Sequence, residues 1–532
     1  MPGQKDGRKM IVSGNDFLPS ATERHFDVAV VGAGTVGLCL ATALRRKGVS
    51  VIVLEAGGAS ANTTSNVDTA ISAGHPHEGT DLGRASGLGG TSALWAGQLV
   101  EFDPLDLRRR DRPWPINYEI LQPWYNEAYA FLGLGPRPTV AQYQEAMGFW
   151  IKANARVEPL MTRWLPEPNF TRLFARDLQS DMPVVTDVEV DRIEFEGTRA
   201  TSVNARSKAG ASVRVAADHV ILAAGTIGNA RLALALQRQK GCPWTKNTFV
   251  GRYFLDHLGG AVATVEVLDD TAFRKAFEHG QAFGQKFEPK LKFTEEASAQ
   301  KILGVNGAFL FHSALYPHLS NLKQTARAAR NGVLHSNAWA LPGDLVRIGR
   351  SFLPLVCRYL RDRRVYGFYD RGIEFYVQSE QIPLFHSSVR LEPGSQNERL
   401  PKAVVDWQVD GREIDAIRHF VESANALLVQ QGLARIIPKP ELDSRQDGLS
   451  LLADTYHQSG GMRMSAAAGG GVTDADGLIW NTRNVYVAGA SVMPSSSHAN
   501  VTLTSMALAL RLAAHLTAKV KGRALAPISD TM

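Results

Sequence analysis

The chain has 532 residues, enough for a large core divided between two domains. Hydrophobic residues make up 44% and charged residues 21%, which excludes disordered, collagenous and coiled-coil classes. The net charge of +6 reads as thinly spread, so no nucleic-acid partner is expected.

Three widely spaced cysteines, Cys39, Cys242 and Cys357, form neither a disulfide framework nor a zinc motif, and fit a reducing compartment. The first residues are polar, without a signal-peptide apolar core, and no run of 18 apolar residues occurs. A cytoplasmic location and no membrane span are therefore expected. Residues 1–25 and 523–532 read as loose termini.

The first motif lies in Phe26–Gly58. Val28–Val31 reads as a buried strand, Leu38–Lys47 as a helix and Val51–Leu54 as a second strand. Between strand and helix stand Gly32, Gly34 and Gly37 in GxGxxG spacing. The first glycine permits the tight turn, the second lets a pyrophosphate reach the positive helix end, and the third lets helix pack on strand. Glu55 ends the second strand, 23 residues after Gly32, where an acid accepts from ribose hydroxyls. That acid disfavours NADP. The unit itself leaves FAD and NAD both open.

The stretch GRASGLGGTSALWAG, Gly83–Gly97, has five glycines in fifteen residues. Backbone in close contact with something flat or anionic needs such a loop. With Gly89, Gly90, Ser92 and Trp95, this stretch resembles the flavin-facing loop of the glucose–methanol–choline (GMC) oxidoreductases. Further segments resemble that family in its own order: DHVILAAGTIGNARLAL at 218–234, VGRYFLDHLGG at 250–260, HQSGGMRMS at 457–465 and NVYVAGASVMPSSSHANVTLTSMALALRLA at 484–513. EFYVQSEQIP and the His498-Ala499-Asn500 tripeptide look most like the pyranose-oxidase and sugar-dehydrogenase branch.

The resemblance implies an α/β fold: a Rossmann-like FAD-binding domain joined to a discontinuous α+β substrate-binding domain with an antiparallel sheet. The FAD domain would take 26–112, 184–260 and 445–522, and the substrate domain 113–183 and 261–444. GIEFYVQSE, SSVRLEP and KAVVDWQVD read as strands of that second sheet. The FAD contacts it implies are Gly32, Gly34, Gly37, Glu55, Gly89, Gly90, Thr91, Ser92, Trp95, Val188, Ala224, Gly225, Gly489, Ala490, Asn500 and Thr502. In pyranose oxidases a histidine of the second loop bonds covalently to the flavin. Here Leu94 stands in that place, so FAD is expected to be noncovalent, with His75 and His77 too far upstream to replace it.

Arg347–Arg364 mixes apolar residues with six arginines on both sides of Pro354. It reads as a surface helix pair with solvated arginines, dispensable for chemistry. A membrane-surface or partner-docking patch is the alternative, and a grip on an acidic substrate the third reading.

His498 and Asn500 stand at the mouth of an apolar helix, where they could be N-caps, metal ligands, hydrolytic groups or handlers of a substrate hydroxyl. No HExxH, cysteine cluster or two-histidine–carboxylate spacing accompanies them, so no metal is expected. GxSxG is missing too. Flavin oxidation of an alcohol requires a base near neutrality and a group that aligns the alkoxide. By resemblance the base is His457 and its partner Asn500, while His498 and Gln381 stand behind them or touch substrate.

The activity implied is FAD-dependent oxidation of a primary or secondary alcohol, with the hydroxyl proton taken by the base and hydride passing to flavin N5. A sugar or glycoside is the expected substrate, and O2, a quinone or a redox protein the electron acceptor. The alternatives are a non-sugar alcohol (natural product, sterol or aliphatic) and a flavoprotein lyase of the same family. Keeping both His457 and Asn500 argues against a redox-inactive scaffold.

Overall fold

The computed structural model describes residues 11–17, 25–63, 69–109, 113–179, 182–207, 209–299, 303–330, 337–365, 367–394 and 400–522. These residues build two large sheets and one small one.

Across the first large sheet the strands run Ile11–Ser13, Val184–Thr186, Val51–Leu54, His25–Val31, Ser212–Leu222, Arg199–Ser207 and Val188–Glu196. Val485–Val487 also pairs with Ser212–Leu222. The strands from Ile11–Ser13 to Ser212–Leu222 are parallel, and the last two form an antiparallel extension. Parallel strands are covered on both faces, which explains why Val51–Leu54 is a continuous, fully buried apolar run. The predicted βαβ unit is present. Its helix, Thr35–Arg46, begins one turn earlier than expected, with Gly34 as N-cap, so the positive helix end sits on the glycine turn.

The second large sheet is antiparallel. Its order is Ala434–Pro438, Leu258–Val267, Ile373–Ser379, Val305–Phe311, Gln285–Phe293, Val157–Trp164 and Gln98–Leu99. Every second residue of Gln285–Phe293 is buried, the pattern of a sheet covered on one face.

Several boundaries differ from the sequence reading. Ile11–Ser13, expected in a loose terminus, adds an edge strand to the first sheet beside Val184–Thr186. His25, also expected to be loose, opens the strand His25–Val31, and residues 1–10, 18–24 and 523–532 lie outside the described residues. Gln98–Leu99 and Ala453–Asp454, expected in the flavin domain, pair into the second sheet. Tyr118–Phe131, expected in the substrate domain, packs on the C-terminal helix Val501–Val520 and buries Leu121, Tyr125 and Ala128 in the first core. SSVRLEP and KAVVDWQVD are strands, but they form a separate small sheet with Ala70–Gly74. Strand propensity marks each segment locally, whereas sheet membership depends on partners far away in sequence.

The C-terminal helix is long and apolar enough, by length and composition, to cross a bilayer. Its apolarity has another cause: Leu503, Met506, Leu510 and Ala513 are buried, and the helix packs against Thr35–Arg46 and Tyr118–Phe131. The arginine-rich segment also departs from expectation. In place of two helices broken at Pro354, one helix runs continuously over Leu341–Asp362.

Candidate active site

A cavity of about 710 Å3 opens where the glycine turns of the first sheet meet the second sheet. Its walls include the amino ends of three helices, at Gly34–Val36, Gly225–Gly228 and Val501–Thr502. Each presents unpaired N–H groups and partial positive charge, the arrangement that holds phosphate oxygens and anionic rings.

The three glycines of the first turn have separate tasks. A Cβ on Gly32 (φ +107°) would lie 2.5 Å from the Ala223 carbonyl oxygen, so Gly32 allows the two crossover units to meet. A Cβ on Gly37 would lie 2.0 Å from the Gly32 oxygen, so it sets helix against strand. A Cβ on Gly34 would meet nothing within 4 Å, because that side of the backbone faces the cavity.

Glu55 is buried and ties the two glycine loops together. It accepts N–H bonds from Ala33 (2.7 Å), Gly57 (2.8 Å) and Gly87 (2.9 Å) while still lining the cavity. Gly90, in the left-handed region at φ +50°, brings the second loop against Gly34.

Gly32, Gly34, Glu55, Gly90, Thr91, Trp95, Val188, Ala224, Gly225, Gly489, Ala490, Asn500 and Thr502 all line the cavity. Gly37, Gly89 and Ser92 do not. The Ser92 hydroxyl donates to the Gly89 carbonyl (2.6 Å) and accepts the Phe170 N–H (3.0 Å), which turns it into the loop's own scaffold. The open backbone at Gly34, the helix ends and the volume fit FAD, and these cavity-lining residues would hold it. Leu94 lines the cavity as well. His75 packs edge-on against Trp407, and His77 is buried with its ring nitrogens on Thr80 and Asp256, so neither reaches the cavity wall.

His457 and Asn500, 43 positions apart in sequence, both line this cavity. Asn500 occupies the N-cap position of the C-terminal helix, yet its side chain makes no capping bond. Its Oδ1 accepts from Gln378 Nε2 at 3.4 Å. Nδ1 of His457 lies 2.8 Å from Thr455 Oγ1 and 3.2 Å from His257 Nδ1. Burial pushes the His457 imidazole down to about 4, against an opposing pull from Asp256 and with a smaller push from Lys290. The ring is therefore neutral at pH 7 and able to accept a proton.

His498 lies behind this wall. It is buried, with Nε2 2.9 Å from Asp103 Oδ2, and Lys292 holds the same carboxylate at 2.7 Å. Its backbone carbonyl accepts from Asn306 (2.7 Å) and Gln378 (2.8 Å). Gln381 does not reach the cavity either. Its Oε1 accepts the Asp256 N–H (3.0 Å) and the Trp407 indole N–H (2.9 Å), and its Nε2 donates to the Gln408 carbonyl. The glutamine of EFYVQSEQIP that bonds a cavity-lining residue is Gln378, three residues earlier, which donates to Asn500 from within the strand Ile373–Ser379.

Sequence reasoning missed Asp256, His257, Thr455 and Gln378. Asp256 and His257 stand in the VGRYFLDHLGG segment, which carried the family likeness but no role. Asp256 Oδ1 accepts backbone N–H bonds from His257 (2.7 Å), His457 (2.9 Å) and Thr455 (3.3 Å). It thereby clamps both neighbours of Tyr456, a non-glycine residue at φ +63°. His77, Asp256 and Asp454 form a compact buried cluster with ligating atoms within 4.8 Å of one another. Both Asp454 oxygens already accept backbone N–H bonds, from Glu78 (2.7 Å) and Gly79 (2.8 Å), so the cluster serves as an internal lock.

The second sheet supplies a polar wall. Gln98 and Trp164 line the cavity, and Gln98 is bonded to both Glu288 and Lys290. Lysine and histidine partners hold the Glu288 carboxyl down to about 2 in spite of its burial.

Residues 383–509 match the family model described as GMC oxidoreductase, and residues 27–245 the model described as FAD dependent oxidoreductase. The chain is 22% identical over 486 residues, 80% of its length and 79% of the relative's, to 2-methyl-1,2-propanediol dehydrogenase of Mycolicibacterium austroafricanum. Over 129 residues it is 33% identical to C-glycoside 3-oxidase of Microbacterium trichothecenolyticum, which is 22% of this chain and 24% of that one. Among solved structures, formate oxidase of Aspergillus oryzae, in a structure concerned with FAD modification, aligns with a TM-score of 0.58 at 17% identity, over 94% of this chain and 99% of that one. Pyridoxine 4-oxidase from Mesorbium loti aligns with a TM-score of 0.56 at 16% identity, over 92% and 99%. These structural likenesses show a shared fold.

Proposed function

Starting from the chain's membership of the GMC family of FAD-dependent oxidoreductases, which act on alcohols, we propose that it oxidises a hydroxyl of a sugar or glycoside with His457 as base and Asn500 as its partner. The observation that carries this reading is that His457 and Asn500, far apart in sequence, both line the cavity that fits FAD. FAD, when bound, supplies the hydride acceptor.

The chain's own residues do the rest. In the tautomer with its proton on Nδ1, His457 donates to Thr455 Oγ1 at 2.8 Å, and the other ring nitrogen keeps a lone pair for the substrate hydroxyl proton. Asn500, held by Gln378, orients the hydroxyl oxygen. The amino end of the Val501–Val520 helix places partial positive charge beside the site, where it favours negative charge developing on the acceptor.

Gln98, with Glu288 and Lys290 behind it, offers donors and acceptors suited to a polyol. A match over 80% of the chain is to a dehydrogenase named for a branched 1,2-diol, which supports a non-sugar vicinal diol as the second reading. Leu94 at the second glycine loop supports noncovalent FAD, since its side chain has no lone pair to attack the ring.

Anaerobic mixing with a panel of sugars, glycosides and small diols tests this. Bleaching of the flavin by a sugar supports the reading; bleaching by small diols alone would move it to the second. A flavin that no alcohol bleaches would sink both. Readmitting air then separates an oxidase from a dehydrogenase that passes electrons to a quinone or redox protein.

A further inference from the structure

We propose that the helical hairpin formed by Tyr316–Arg330 and Leu341–Asp362 docks the protein on an anionic lipid bilayer. This surface is independent of the alcohol chemistry.

The hairpin is inserted between two adjacent antiparallel strands, Val305–Phe311 and Ile373–Ser379. Asn306 and Gln378 lie at the site end of these strands, bonded to the His498 carbonyl. The hairpin leaves from the opposite end, after Phe311 and before Ile373. At the usual rise per residue this is about 17 Å away.

Its surface is apolar where a soluble enzyme would be polar. Trp339 is 80% exposed, Val346 77%, Leu360 64% and Leu345 53%. Val346 and Leu360 are fourteen residues apart, close to four full turns, so they share one face of the helix. The inward face is occupied separately: Ile348 is buried, and Asp344 holds His318 and Asn321 of the partner helix at 2.6 Å. The exposed stripe is thus additional to the packing face.

The charge is equally concentrated. Residues 316–371 contain ten lysines and arginines and three aspartates, a net of +7. The whole chain carries +6, so the rest of the protein is at −1. The net positive charge is therefore not thinly spread, as composition alone suggested. Arg358 is turned inward onto Glu278, and the Arg364 guanidinium onto the Lys275 carbonyl, while Arg347, Arg361 and Arg363 are exposed.

An exposed tryptophan and aliphatic stripe beside arginines suits one surface in particular, where acyl chains and anionic headgroups occur together. A second copy of this chain would bring +7 against +7. A polyphosphate strand would leave Val346 and Leu360 in water.

Co-sedimentation of the FAD-loaded full chain with vesicles tests this. Binding should appear on phosphatidylcholine vesicles containing phosphatidylglycerol, be roughly tenfold or more weaker on phosphatidylcholine alone, and fall with added salt. The triple change Arg347→Glu, Arg361→Glu, Arg363→Glu and the triple change Trp339→Ser, Val346→Ser, Leu360→Ser should each reduce binding by a similar factor. Turnover with a soluble acceptor should stay within about twofold, because neither set touches the cavity. The arginine set lies at the exposed surface, so it also serves if the serine set folds poorly. No binding to anionic vesicles, or equal binding to both vesicle types, would overturn the proposal. So would a solution dimer that the serine changes dissociate.

Discussion

Asp256 Oδ1 accepts the backbone N–H of His457 at 2.9 Å, and Tyr456, immediately before His457, is in the left-handed region at φ +63°. A strained backbone stays in place only where its surroundings over-determine it. Asp256 does so by also taking the Thr455 N–H, and it is anchored in turn by Gln381 and His77. Asp256 is accordingly a positioning residue for the proposed base. Its carboxylate also opposes the effect of burial on His457. Asp256→Asn keeps an acceptor and removes the charge. The imidazolium then loses a stabilising neighbour, so the acid limb of kcat/KM should move to lower pH while FAD stays bound. An unchanged limb would reduce Asp256 to a purely structural role.

His457→Ala should lower the rate of flavin reduction by about 10²–10⁴-fold, the usual cost of a missing general base, with the flavin spectrum preserved. Asn500→Ala and Gln378→Ala should each lose less and raise KM, since Gln378 holds Asn500 and the His498 carbonyl. Stopped-flow absorbance near the flavin maximum gives these rates. A crippled His498→Ala beside a nearly normal His457→Ala would reverse the assignment.

Acid should act on stability through buried histidines. His457 and His219 are both pushed down to about 4 by burial, and His257, fully buried against His457, goes well below its ordinary value. In the unfolded chain these rings take up protons near 6.5. The unfolded state therefore binds more protons as pH falls through 6.5 towards 4, and stability present above 6.5 is lost across that window. Tm measured by scanning calorimetry should decline over this interval. His219→Phe, remote from the cavity, should flatten part of the slope without changing turnover.

Two glycine substitutions separate packing from cofactor contact. Gly37→Ala would place a methyl 2.0 Å from the Gly32 oxygen, so it should destabilise the fold even without FAD. Gly34→Ala meets no protein atom and should leave the apoprotein stable while weakening FAD binding. Comparing Tm and flavin content in the two variants checks this. Equal losses in both would refute the division of labour.

Acid precipitation should release the yellow colour into the supernatant, because Leu94 cannot bond the ring and neither His75 nor His77 reaches the cavity. A fluorescent band surviving denaturing electrophoresis would show covalent attachment.

The sequence by itself determined the cofactor class and the frame that holds it. Glycine spacing, short apolar strands and an acid at a strand end act over a few residues, so Gly32, Gly34, Gly37 and Glu55 could be read directly. His457 and Asn500 were legible through family motifs alone, since nothing local brings together residues 43 positions apart. Tertiary structure decided which neighbours support them. Gln378 bonds Asn500 and Gln381 does not, because one lies within the strand Ile373–Ser379 and the other beyond its end. Asp256 acts on His457 across 201 positions, through a bond between a side chain and a backbone that no periodicity records. The arginine-rich segment divides in the same way. Its charge was visible in the sequence, but only packing shows that Ile348 and Asp344 face inward while Val346 and Leu360 remain exposed. Composition sets how much apolar and charged surface a chain carries. Where that surface ends up depends on which partners the fold brings against it.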